Sequence, residues 1–97
     1  MSNKLSLEIY LFLKTIPKNK VVSYKTIADM FHIHPRTVGS IMRRNIYPKI
    51  YPCYKVLAAN GWVWWYNGGL TEKIKKLQAD GIQIVDGKVD KRYFRKE

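Results

Sequence analysis

Cysteine is nearly absent from this chain of 97 residues, which has one, together with two histidines. A single thiol excludes an internal disulfide, and one Cys with two His is a poor zinc set, so no metal or cofactor is expected. Acids are scarce too, seven against 18 Lys and Arg, for a formal net charge of +11. No apolar run approaches the roughly 18 residues of a membrane-spanning helix, and no segment has the plan of a secretory signal. Repeats, low-complexity tracts and linkers are also lacking. What is present is a hydrophobic fraction of 46%, ordinary for a globular domain and too high for a disordered basic tail. At roughly 100–200 residues per domain, residues 1–97 form one domain. The expectation is a soluble, intracellular monomer whose partner is a polyanion.

The placement of charge sharpens that expectation. Between Met30 and Thr71 there is no Asp or Glu, while Arg36, Arg43, Arg44, Lys49 and Lys55 all fall inside. Such a stretch makes a positive face wherever it meets solvent. A second basic cluster, Lys91, Arg92, Arg95 and Lys96, reads as a solvated end. Nucleic acid is favoured over an anionic membrane, because no long basic amphipathic helix is present to lie on lipid.

Residues 5–16 are densely apolar, with Leu7, Tyr10, Leu11 and Lys14 at helical spacing, Ser6 as a plausible N-cap and Pro17 as the stop. Ser23 caps a second helix running to Phe31, with Ile27, Met30 and Phe31 as its buried stripe and Ala28 allowing close packing. His32-Ile33-His34 is a tight connection, and its histidines read as turn residues rather than ligands. Pro35 then takes the favoured first position of a third helix that ends near Arg44. That helix buries Val38 and Ile41 or Met42, and exposes Arg36, Thr37, Ser40, Arg43 and Arg44. Two short helices across a tight turn form a helix-turn-helix pattern.

Beyond it, residues 46–51 read as extended loop. Residues 55–58 and 62–66 flank Asn60-Gly61, a strong hairpin signal. A fourth helix over 70–79 turns Ile74 and Leu77 inward and stops at Gly81. A last hairpin turns at Asp86-Gly87, between Ile82, Ile84 and Val89. The fold class is α+β: a small, mainly helical winged-helix domain with short β-hairpins.

Four ordered blocks carry a resemblance. Arg36-Thr37-Val38-Gly39-Ser40-Ile41-Met42-Arg43, then Asn45, then Pro52-Cys53-Tyr54-Lys55-Val56, then Tyr66-Asn67-Gly68-Gly69-Leu70 resemble the C-terminal domain of the O6-alkylguanine-DNA alkyltransferases. The similarity runs from about Leu5 to Phe94. It implies a protein that binds duplex DNA, flips an alkylated guanine into a pocket and moves the alkyl group to a cysteine. On that resemblance Arg36 is the finger that enters the stack and Tyr24 rotates the phosphate. Thr37, Ser40, Arg43, Arg44 and Lys55 are further DNA contacts. Asn45 holds the active-site turn, Cys53 is the acceptor, and Trp64, Trp65, Tyr66 and Asn67 line the base pocket. Chemistry on a base needs extrusion, and a cationic wedge can hold the gap.

The departures are as informative. The family motif reads Pro-Cys-His-Arg-Val, and here Tyr54 replaces the histidine that, with a glutamate, turns thiol into thiolate. Asp80 corresponds to that glutamate, one methylene shorter. A free thiol near pKa ~8.5 is only a few per cent ionised at neutral pH, and a phenol near ~10 is a weak base there. Lys55, or a positive helix end, could favour the thiolate instead. Trp64 replaces a family glycine in the pocket loop, where it could narrow the site or form a stacking wall. The family's N-terminal domain has no counterpart in the sequence, a feature of the short alkyltransferase-like proteins, which bind the lesion without transfer and pass it to excision-repair proteins. Those proteins usually lack the cysteine that this chain retains. Three functions therefore compete: irreversible alkyl transfer to Cys53, lesion sensing without chemistry, and a plain winged-helix regulator. The last leaves the Pro52-Cys53 block and residues 66–70 unexplained.

Overall fold

The computed structural model describes residues 3–63 and 69–95. Its chain order is α1 (Asn3–Leu13), β1 (Val22–Ser23), α2 (Tyr24–Phe31), α3 (Pro35–Arg43), a single 3-10 turn (Cys53–Lys55), β2 (Val56–Leu57), α4 (Leu70–Ala79), β3 (Ile84–Val85), β4 (Lys88–Val89) and a second 3-10 turn (Lys91–Tyr93).

The first helix begins earlier than the sequence suggested, so Ser6 lies inside α1 and does not cap it. Apolar density marks the body of a helix, not its first residue. Ile9 and Leu13, four apart, are its fully buried pair, whereas Leu7 and Leu11 stay about half exposed. Toward Pro17 the backbone tightens into bonds of 3-10 type, from Lys14, Thr15 and Ile16 back to Leu11, Phe12 and Leu13.

Helices α2 and α3 start where the caps predicted. Ser23 Oγ accepts the Thr26 amide at 2.9 Å. His32 ends α2 in the left-handed region at φ 57°. His34 then caps α3, its Nδ1 accepting the Arg36 amide at 3.0 Å, with Pro35 in the first turn. Val38, Ile41 and Met42 are all buried. Met30, expected in the α2 stripe, is instead exposed, and Ile27 and Ala28 make that contact. With only eight residues, α2 offers its neighbours too narrow a face to include Met30.

Two expectations for the middle of the chain fail. Residues 47–51 coil into turns, with Ile50 and Tyr51 amides on the Tyr47 carbonyl, rather than running extended. The hairpin expected of residues 55–58 and 62–66 is not seen among the described residues, which reach only Val63 there: β2 pairs in parallel with β1, Val22 opposite Val56 and Ser23 opposite Leu57. Asn60-Gly61 still turns the chain, but sends Trp62 against Lys88 of β4. Gly61 sits at φ 90°, where a Cβ would run into the Val89 carbonyl, so this crossing requires glycine. The last hairpin forms as expected, with Asp86 and Gly87 both at positive φ, the pattern of a type I′ turn.

The short parallel pair divides the core. Side chains alternate along a strand. Val22 and Val56 therefore face one cluster with Ile9, Leu13, Ile27, Val38, Ile41, Met42 and Cys53. Val21 and Leu57 face the other, with Val63, Leu77, Ile82 and Val89. The C-terminal segment is docked rather than wholly solvated: Phe94 bridges Val21, and the Arg95 guanidinium lies 5.2 Å from the centre of the Phe12 ring.

Candidate functional site at Cys53

Cys53 is the first residue of the 3-10 turn and is buried in the first cluster, directly behind the helix-turn-helix. Its position is fixed by Asn45, itself buried just past α3. Asn45 Nδ2 donates to the Tyr51 carbonyl at 2.8 Å, and its Oδ1 accepts the Tyr47 amide at 3.0 Å. One side chain thus closes the loop from α3 to the cysteine. Tyr10 adds a second brace, stacking on Tyr51 at 5.2 Å and donating to the Ile41 carbonyl at 2.6 Å.

Burial pushes the Cys53 thiol above its ordinary pKa; a hydrogen bond from Asn45, and then the charges of Lys73 and Lys76, pull the other way. Tyr24, first residue of α2, is half-buried against the same cluster. Its phenol is raised by burial and then by the negative charge that Cys53 can carry, while Arg43 opposes both. Helix α3, Tyr24 and the cysteine therefore share one electrostatic neighbourhood.

On the other side of the turn the sequence expectations part from the structure. Tyr54 donates its hydroxyl proton to Asp80 Oδ2 at 2.8 Å. The same oxygen pairs with Lys55 Nζ at 3.3 Å. Lys55, expected as a DNA contact or a cation for the thiolate, is neither exposed nor turned to Cys53. It is buried, its ammonium donating to the Ile16 and Pro17 carbonyls at 3.1 and 3.0 Å. Its neighbours explain why: the turn that follows α1 presents the Ile16 and Pro17 carbonyls to the ammonium. A groove of about 500 Å³ borders this cluster, lined by Lys14, Pro48, Ile50, Lys76 and Asp80, among others, but not by Cys53.

Lys73 was not anticipated. The sequence shows it among Lys75 and Lys76 on α4, as an ordinary solvated charge, yet it is 1% exposed. Its Nζ donates to the Val56 carbonyl at 2.9 Å, and burial lowers its pKa to about 8 against the opposing effect of Cys53. The one available signal was spacing: Lys73 lies four residues before the buried Leu77, on the inward stripe. Ile74, predicted inward, is half-buried on the second cluster.

Arg36, Arg43 and Arg44 are exposed along α3, and Thr37 and Ser40 are half-exposed. No acid lies in the first turn of α3. A cation at that positive helix end is mildly unfavourable without an anion to accept it. Trp64, Trp65, Tyr66 and Asn67 lie outside the described residues. Trp62 is exposed, with Lys88 Nζ 5.1 Å from its ring centre. Among the described residues no group of three His, Cys, Asp or Glu side chains converges as a metal site would require.

Residues 4–82 match the family model described as 6-O-methylguanine DNA methyltransferase, DNA binding domain. A methylated-DNA–protein-cysteine methyltransferase of Thermococcus kodakarensis is 34% identical over 70 residues, covering 72% of this chain and 40% of the relative. The chain thus spans well under half the length of that relative. The structure of Mycobacterium tuberculosis OGT in complex with DNA superposes with a TM-score of 0.74 at 29% identity, covering 82% of this chain and 51% of that one. S. pombe Atl1, solved with damaged DNA containing O6-carboxymethylguanine, has a TM-score of 0.85 with 100% and 99% coverage; at 20% identity it speaks for the fold alone. With the cysteine, its asparagine brace and the helix-turn-helix in the order the family requires, the chain belongs to the 6-O-methylguanine DNA methyltransferase family through its DNA-binding domain.

Proposed function

We propose that this domain binds duplex DNA through α2 and α3, turns an O6-alkylated guanine out of the stack and transfers the alkyl group irreversibly to Cys53. The observation that carries the reading is the burial of the only cysteine behind the helix-turn-helix, with Asn45 bonded to it and Tyr24 within electrostatic reach. Arg36 fills the gap left by the flipped base, and Tyr24 turns the phosphate that carries it. Arg43 and Arg44, with Thr37 and Ser40, hold the backbone, a share of binding that falls with added salt through counterion release. In the chemical step a bond forms between Sγ and the alkyl carbon, and the carbon–O6 bond breaks with its electron pair on O6. The proton that leaves the thiol ends on the restored guanine. The thioether that results is chemically stable, so each molecule acts once.

A second reading, a lesion sensor without chemistry, has one specific observation in its favour. The Tyr54 hydroxyl proton is committed to Asp80, so the residue in the family's base position is a donor held to a carboxylate. Intact-mass measurement after incubation with duplex DNA carrying O6-methylguanine separates the two. A gain of one methylene equivalent, absent from Cys53→Ser, is the expected result; no gain with tight lesion binding in both proteins makes the domain a sensor.

A further inference from the structure

We propose that the β3–β4 hairpin and the second 3-10 turn form a further DNA-binding groove, which grips the phosphate backbone of the duplex beyond the part held by α2 and α3. The inference rests on the reading of the domain as a duplex-DNA binder and adds a second surface to it. The groove encloses about 450 Å³ and is lined by Lys88 of β4, Lys91 and Arg92 of the 3-10 turn, and Asn60 and Gln83, among others. Its walls stand on the second core cluster, through Val89 and Tyr93, whereas α2 and α3 pack on the first. The groove is thus separate from the helix-turn-helix.

Lys88, Lys91 and Arg92 are all exposed, and among the described residues no carboxylate forms a salt bridge with any of them. Lys25, by contrast, is neutralised by Asp29 at 2.9 Å. Aromatic rings and an amide hold two of the three cations instead. The Lys88 ammonium lies 5.1 Å from the centre of the Trp62 ring. That ring is fixed by the backbone bridge from Trp62 to Lys88 and by Gly87, whose Cβ, were it present, would lie 3.0 Å from the indole. The Arg92 guanidinium lies 4.8 Å from the centre of the Tyr93 ring, and donates to the Tyr93 hydroxyl at 3.0 Å and to Gln83 Oε1 at 3.4 Å. A π face orients a cation without cancelling its charge, so both remain able to meet an anion. Asp90 is the one acid on the groove, and its Oδ1 is turned to the Arg92 amide as the cap of the 3-10 turn. Lys20 adds a fourth cation beside that turn, its ammonium 3.1 Å from the Arg92 carbonyl. Oriented, un-neutralised cations along one groove suit a row of phosphates. The molecule measures 36 Å in its longest dimension, about one helical turn of duplex. Flanking phosphates of a duplex bound at α3 therefore stay close to the groove, and their capture is intramolecular.

The salt dependence of binding to undamaged and O6-methylguanine duplexes, followed by fluorescence anisotropy, tests the groove. Lys88→Gln, Lys91→Gln and Arg92→Gln together should weaken binding of both duplexes by the same factor, about tenfold, and lower the slope of log affinity against log salt by about 2–3. The preference for lesion over undamaged DNA should be retained. Lys91→Gln alone, a single exposed change, should lower the slope by about 1. Lys14→Gln, Lys18→Gln and Lys75→Gln together remove the same charge from exposed positions elsewhere and should leave the slope in place. An unaltered slope in the groove variants, or an equal fall in the control, overturns the proposal. With duplex in excess, sedimentation should show one duplex per protein; two would overturn the assignment to the flanking backbone. The DNA mass measurement stands apart. A reduced slope without mass gain on the wild type retains this proposal and rejects alkyl transfer, and mass gain with an unaltered slope does the reverse.

Discussion

On one side of the Cys53–Lys55 turn lies a polar cluster of Tyr54, Lys55 and Asp80; on the other lies one of Asn45, Cys53 and Lys73. The first is closed. Asp80 is met by a phenol proton and an ammonium, and that ammonium also has two backbone carbonyls. Its charges cancel where they stand, and it joins α1, the turn and α4 into one unit. The second cluster sets a titrating thiol against a titrating ammonium, and both have pKa values displaced by burial. The difference teaches how two buried polar clusters on one turn can diverge: the first joins three segments by hydrogen bonds, and the second holds a thiol and an ammonium that burial moves from their ordinary pKa values.

The largest effect should come from breaking the closed cluster. Asp80→Ala leaves Lys55 charged and buried without its carboxylate, and removal of one partner from a buried pair costs about 3–5 kcal/mol. Urea unfolding should show that loss, while the Cys53 titration midpoint stays put. A displaced midpoint would show that the two clusters communicate.

A smaller effect of opposite sign is expected on the reactive side. The folded-state pKa of Lys73, about 8, lies below its ordinary 10.5. Below pH 8 the residue is charged in both states, and the fold bears the cost of burying it. As pH rises from about 8 to 10.5 the folded protein releases the proton first, the unfolded chain holds more protons, and stability from this group increases. Lys73→Met removes that cost along with one hydrogen bond to Val56. It should therefore stabilise the protein at pH 7 by about 1–3 kcal/mol, with the advantage over wild type shrinking by pH 10. Thermal unfolding across that range checks both sign and slope.

The smallest effect on the comparison should come from Arg36→Ala, which touches neither cluster. Stability and thiol titration should match wild type. The dissociation constant for lesion DNA should weaken about tenfold, a loss of roughly 1.4 kcal/mol within the range for one specific contact. Fluorescence anisotropy at two salt concentrations measures it, and unaltered affinity removes the finger role from Arg36.

The parts of the fold that were legible are those set by neighbours in sequence. Ser23 before α2, Pro35 at the head of α3 and Asp86-Gly87 in the last turn each satisfy backbone groups within a few residues, so their outcome is local. Hydrophobic spacing likewise identified Ile27, Val38, Ile41 and Leu77 as core. The first hairpin failed because Asn60-Gly61 specifies a turn but not a partner. Val56 and Leu57 pair instead with Val22 and Ser23, 34 residues earlier in the register, where both are fully buried. At the site, the order Arg36, Asn45, Cys53 was readable as a motif. The inward course of Lys55 and the burial of Lys73 were not, because a lysine's letter carries no depth.

The sequence by itself determined the basic, single-cysteine chain and its helix-turn-helix, since caps, apolar spacing and charge distribution act over short distances or over the whole composition, and the resemblance singled out the thiol. Tertiary structure decided where the two buried lysines go. Lys55 is drawn to the Ile16 and Pro17 carbonyls in the turn after α1, and Lys73 is buried with its ammonium on the Val56 carbonyl. The influence of a charge depends on distance and on exclusion of water, and only the folded chain sets either.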